Sequence, residues 1–116
     1  MILLVMTDKK NYLQPPDMLL NAIHDLAEMQ KGRTVMCDSP HGIVRFIVEV
    51  YGTQQEYRFT VGGIGGSRCS VTIELNGDTN ETKRLIDHEF ALLDYVLIDR
   101  ARIELAALGI PLTIND

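Results

Sequence analysis

Along the middle of the chain apolar and polar residues alternate, and on either side the apolar ones recur every three or four positions. In IVRFIVEVY the apolar set is Val44, Phe46, Val48 and Val50. In QEYRFTV it is Tyr57, Phe59 and Val61, and in SRCSVTIEL it is Cys69, Val71, Ile73 and Leu75. A period of two is that of a strand with one buried face, so three such strands are predicted. A four-residue turn YGTQ (51–54) would set Val48 opposite Tyr57 and Phe46 opposite Phe59. A five-residue loop GGIGG (62–66) would set Phe59 opposite Cys69 and Tyr57 opposite Val71. Both registers bring apolar residues together on one face. A turn SPHG (39–42) adds RTVMCD, with Cys37 opposite Val44 and Val35 opposite Phe46, and completes a four-stranded antiparallel meander.

Helical spacing flanks the sheet. Pro15 and Pro16 suit an opening turn, with Asp17 at the positive end of the helix dipole. Leu19, Ile23, Leu26, Ala27 and Gln30 then share a face up to a stop at Gly32, giving a helix over about residues 16–31. After the sheet, Asp78 with Glu81 resembles a capping box, and Gly109 with Pro111 forms a stop. The helix between them, about residues 79–108, would be ~42 Å long. Its centre, FALLDYVLI, is apolar on almost every side except at Asp94. One sheet covers one stripe, so the remaining surface predicts a second copy of the chain, packed around Phe90, Leu93, Asp94 and Leu97 as a two-fold homodimer. Ile64, at the tip of the glycine loop, is a further interface candidate.

The expected fold is therefore α+β: an N-terminal helix, a four-stranded antiparallel meander and a long C-terminal helix on one sheet face, in one domain over residues 1–116. The opening MILLVM has neither the basic flank nor the cleavage site of a signal peptide and reads as a structural segment, with an edge strand one reading of it. LTIND at the other end would be a short edge strand. In the order of its elements the chain is similar to several small dimeric bacterial proteins, among them nucleoid-associated proteins and secretion chaperones. That likeness is one of layout.

With 116 residues, 46% of them hydrophobic and 23% charged, the chain has enough apolar surface for one globular core. A net charge of -5 argues against broad binding to nucleic acid or to anionic membranes, and no apolar run reaches the length of a membrane span. A cytoplasmic location is expected. Both cysteines fall on core-facing positions of the first and last strands, too far apart to bond. His24 and Glu28, four apart on the first helix, lack a second pair to complete a metal site, and the consecutive Asp87, His88 and Glu89 point in diverging directions. No metal or other cofactor is expected.

The outer face of the sheet carries the candidate chemistry. The expected registers gather Arg45, Thr60 and Arg68 in one row and Arg58 in the next, beside Gly63 and Gly65 of the loop. Glu49, Glu56 and Glu74 lie towards the other end. Two guanidiniums about two strand spacings apart, roughly 10 Å, would grip one phosphate or carboxylate; alternatively the face is simply solvated, with Arg and Glu pairing across it. The glycine loop is followed by a strand and not by a helix, which removes the phosphate cradle of nucleotide-binding folds. No nucleophile with a neighbouring histidine assembles from the spacing, and HExxH and CxxC are absent. The sequence thus favours a non-enzymatic dimeric module acting through protein partners, adaptor or chaperone-like. The alternative is a small-anion or nucleotide-binding sensor built on the arginine cluster, and a small enzyme comes third.

Overall fold

The computed structural model describes residues 4–63 and 68–109. In chain order these form β1 (Val5–Tyr12), α1 (Pro16–Met29), β2 (Arg33–Asp38), a 3-10 turn (Ser39–His41), β3 (Ile43–Val50), β4 (Thr53–Gly62), β5 (Cys69–Asn76) and α2 (Asn80–Ala107). The fold is α+β, with two helices over one face of an antiparallel sheet ordered β1-β5-β4-β3-β2. α1 lies over β3 and β4, α2 over β5 and β1, and the helices pack side by side.

The sheet thus has five strands and not the expected four. β1 escapes the apolar periodicity because its inward positions are Met6, Asp8, Lys10 and Tyr12, opposite Leu75, Ile73, Val71 and Cys69 of β5. Two of these four are charged, and they meet charges on α2. Lys83 donates to Asp8 at 2.8 Å, which holds the Asp8 carboxyl below its usual range, and Lys10 pairs with Asp94. Beneath α2 this edge strand is therefore held by ion pairs as well as by apolar contact.

The registers also differ from those expected. The β3–β4 hairpin closes through Tyr51 and Gly52 alone, at φ 50° and 77°, the two-residue turn whose twist matches that of the strands. Phe46 consequently faces Tyr57, not Phe59. Between β4 and β5 the slide is longer, and Phe59 faces Ile73 in place of Cys69. Both displacements are even, and an even slip leaves every side chain on its own face. Hence Val44, Phe46, Val48, Tyr57, Phe59, Val61, Cys69, Val71, Ile73 and Leu75 are all buried as the alternation predicts. On β2, Cys37 does face Val44, but a bulge between Thr34 and Met36 sets Thr34 opposite Phe46 and leaves Val35 exposed.

Both helices lie close to their expected limits. The cap of α2 is a reciprocal pair one residue further on than expected: Thr82 N donates to Thr79 Oγ1 at 3.2 Å, and Thr79 N to Thr82 Oγ1 at 3.4 Å. The chain's own sheet and α1 bury a single stripe of α2: Thr82, Ile86, Glu89, Phe90, Leu93, Val96 and Leu97. Phe90, Leu93 and Leu97, expected at an interface, are covered within this core. Beyond Leu97 none of α2 is fully buried, so roughly 15 Å of helix runs past the core, with Ile98 and Ile103 exposed.

The stripe contains one acid. Glu89 is 1% exposed. Gln30 Nε2 donates to its Oε2 at 2.8 Å, while Oε1 has no partner. Burial outweighs the Gln30 hydrogen bond and pushes the carboxyl up to about 7 from its usual 4.5. The native protein therefore keeps a proton that the unfolded chain releases earlier. Stability is full below about 4.5, falls as pH rises towards 7, and levels off above. Glu89→Gln keeps the shape without the charge. At about pH 8 the variant should be more stable than wild type by on the order of 2 kcal/mol in urea denaturation, with a flatter profile below that. Superimposable pH profiles for the two proteins would show that Glu89 ionises freely in its site.

Candidate functional site

After Tyr12 the chain leaves the sheet through a short linker ending at Pro15, which is extended at φ -68° and ψ 159°, before α1 begins. On the other side α2 is running out beyond the core. Between them opens a cleft of about 460 Å³ whose walls include Leu13, Leu97, Ile98 and Ala101. Leu13 stands exposed at its lip.

The polar part of the cleft comes from two elements 82 or more residues apart in sequence. Tyr12 OH donates to Asp94 Oδ1 at 2.9 Å, and Lys10 Nζ binds Oδ2 of the same carboxylate. The Lys10 ammonium also lies 5.4 Å from the centre of the Tyr12 ring, within cation–π range. Burial first, and then the bond to Asp94, pushes the Tyr12 phenol well above its usual range, so Tyr12 is a neutral donor. Both Asp94 oxygens are engaged, and Lys10 remains half exposed. The arrangement offers one cationic group and a fixed carboxylate beside an apolar wall.

The arginines expected to cluster do so only in part. On the outer face of the sheet Arg45 and Arg58 are register partners, and Arg58 pairs in turn with Glu74. Arg45 Nη2 donates to Glu56 Oε1 at 2.5 Å. The groove they line thus holds two carboxylates with two guanidiniums, and no excess of positive charge. Thr60 lies two positions further along β4, beside Ile43 and Thr72. Arg68 is apart from the group. Its carbonyl lies against Gly63, five positions beyond Arg58 and therefore roughly 17 Å along the strand. The sliding of β5 against β4 is what separates it from Arg45. Gly63 has φ +77°, and a Cβ there would come within 2.4 Å of the Arg68 carbonyl oxygen, so loop closure itself requires this glycine. Ile64 and Gly65, with the first three residues and the LTIND tail, lie outside the described residues.

Two other expectations change with tertiary contact. Cys69 is buried as anticipated, but Cys37 is exposed, because β2 is the sheet's edge strand and the residue of α1 that reaches it is His24. His24 Nε2 lies 3.5 Å from Cys37 Sγ, a pairing the spacing of 13 residues gave no sign of. Asp87, His88 and Glu89 diverge: Asp87 pairs with Lys83 at 2.8 Å, His88 is exposed and Glu89 is in the core. Among the described residues no three His, Cys, Asp or Glu side chains converge on a metal position, and no helix is long and apolar enough to cross a membrane.

No family model matches the chain, and no curated protein matches it in sequence. Among solved structures the chain is similar to a START superfamily protein from Mycobacterium smegmatis, at 12% identity and a TM-score of 0.46, over 83% of this chain and 95% of that one. It is also similar to Ara h 8.0201, at 12% identity and a TM-score of 0.41, over 82% of this chain and 98% of that one.

The Tyr12 hydroxyl is a test of how firmly the cleft is built. Its bond to the Asp94 carboxyl is partly buried, so Tyr12→Phe should lower stability by about 1–2 kcal/mol in chemical denaturation. Asp94→Ala should add less than about 1 kcal/mol to that loss, because Lys10 is half exposed and gains little from its pairing. A Tyr12→Phe variant as stable as wild type would show that water replaces the bond at no loss.

Proposed function

We propose that the protein is a non-enzymatic binding module and that its ligand site is the cleft between β1 and α2. The occupant is a small, largely apolar molecule carrying one polar or charged group. The cleft's make-up is the observation that supports this reading: Leu13, Leu97, Ile98 and Ala101 surround the Tyr12–Asp94–Lys10 set, in a volume typical of small-ligand sites. The space between sheet and helices is, by contrast, filled by aromatic packing. Phe46 stacks on Phe59 with ring centres 5.3 Å apart, and Tyr57 lies 5.8 Å from Phe46. Room for a ligand therefore falls at the end of the helix and not beneath its middle.

A second reading, self-association in the manner of a dimeric adaptor or chaperone, is favoured by Tyr95, Ile98 and Ile103, exposed apolar residues on the outer half of α2. A second copy or another protein would cover them. The small-anion reading has weaker support, since the Arg45 and Arg58 groove is shared with Glu56 and Glu74. Both cysteines are free thiols, which suits a reducing compartment such as the cytoplasm.

Ile98 belongs to both leading readings, so ligand response and oligomeric state are what separate them. Thermal unfolding of wild type and Ile98→Arg, with a panel of small amphipathic acids and amines, should show a saturable rise in Tm for wild type that the variant lacks. At about 100 times its Kd a ligand adds roughly 2.7 kcal/mol of stability. A flat wild-type response, with no ligand retained in native mass spectrometry, would remove the small-molecule reading. A monomer mass at every concentration in sedimentation equilibrium would remove self-association.

A further inference from the structure

At the edge of the sheet opposite the cleft, a thiol, an imidazole and a hydroxyl come together. Cys37 on β2 is exposed, and its Sγ lies 3.5 Å from His24 Nε2 of α1 and 3.5 Å from Ser39 Oγ of the 3-10 turn. His24 and Ser39 also line a cavity of about 290 Å³ with Asp17, Leu20 and Asn21, so the thiol stands at the margin of a space that admits a small molecule. The other thiol, Cys69, is buried among apolar residues. A cysteine placed only for packing is expected in the second setting; a nucleophile with a base within hydrogen-bond reach belongs to the first.

We propose that Cys37 is a site of reversible thiol–disulfide modification, with His24 as its base and a low-molecular-weight disulfide as co-substrate. With the imidazole proton on Nδ1, His24 Nε2 accepts the thiol proton of Cys37. The sulfur then attacks one sulfur of the small disulfide: a bond forms between them, the disulfide's own S–S bond breaks, and the departing thiolate takes the proton from His24. The small disulfide is the oxidant and is reduced to one free thiol, while Cys37 is left as the mixed disulfide; a second small thiol reverses the exchange. Ser39 Oγ, 3.5 Å from the sulfur, is placed to donate a hydrogen bond to the thiolate as it forms. The step uses no residue of the cleft, so it stands or falls independently of the ligand reading.

The experiment incubates the folded full-length protein with glutathione disulfide and follows intact mass and peptide maps over time. One adduct is expected, on Cys37 and not on Cys69. It should form roughly tenfold faster than on a peptide spanning residues 33–40, which carries the same thiol and Ser39 without any histidine. His24→Gln keeps a polar side chain but removes the base, and its rate should fall to that of the peptide while circular dichroism remains that of wild type. Should His24→Gln fail to fold, the comparison of wild type with the peptide decides alone. Equal rates for Cys37 in the folded protein and in the peptide would overturn the proposal. So would a folded His24→Gln that reacts as fast as wild type, or modification of Cys69 at the rate of Cys37.

Discussion

Asp94 accepts hydrogen bonds from Tyr12 and Lys10, and through this one carboxylate the edge strand β1 is tied to α2. Lys83 repeats the device a few turns earlier by bridging Asp8 and Asp87. Together they fix the helix over the half of the sheet that α1 does not reach. From the other side, Arg100 holds Asp25 of α1 with two donors, Nε at 2.7 Å and Nη2 at 2.5 Å. Exposed ion pairs add little stability, but these three link α2 to β1 on one side and to α1 on the other, flanking its buried apolar stripe.

With α2 so placed, the layer between helices and sheet closes on aromatic and aliphatic side chains and admits almost nothing polar. Among the described residues Glu89 is the acidic exception, and Gln30 satisfies only one of its oxygens; buried Thr82 is engaged in the helix cap. A buried carboxyl of this kind is tolerated by keeping its proton, which ties part of the protein's stability to pH. The filled middle also explains where chemistry remains available. The cleft lies at the β1 edge and the Cys37–His24 pair at the β2 edge, about 19 Å apart across four strand spacings. Each is built where a helix and an edge strand meet without a further strand to complete the apolar layer.

The sheet's outer face shows how strongly register governs function. Arg45 and Arg68 would share one row, with Arg58 in the next, under one pair of hairpin lengths; under another, Arg45 and Arg58 share a groove with Glu56 and Glu74 and Arg68 is carried to the loop end. The same slide has no effect on the core, because each displacement is an even number of residues. A strand's buried face is thus far more robust to error in the turn than is any constellation on its exposed one.

The sequence alone determined which segments are helices and which are strands from β2 onward, and which side of β3, β4 and β5 is buried; on β2 the expected inward residues Val35 and Cys37 are exposed. Period is a local property, written in residues such as Val44, Phe46 and Val48 by the partition of apolar surface away from water. An edge strand was one reading of MILLVM, but tertiary structure decided that the strand runs from Val5 to Tyr12, since Asp8 and Lys10 read as polar until Lys83 and Asp94 stand over them, the latter 84 residues from Lys10. It likewise decided the registers, through a turn that Tyr51 and Gly52 close at positive φ, and it set Cys37 in the open beside His24. These outcomes depend on contacts between groups distant in the chain, whose energies have no signature in local spacing.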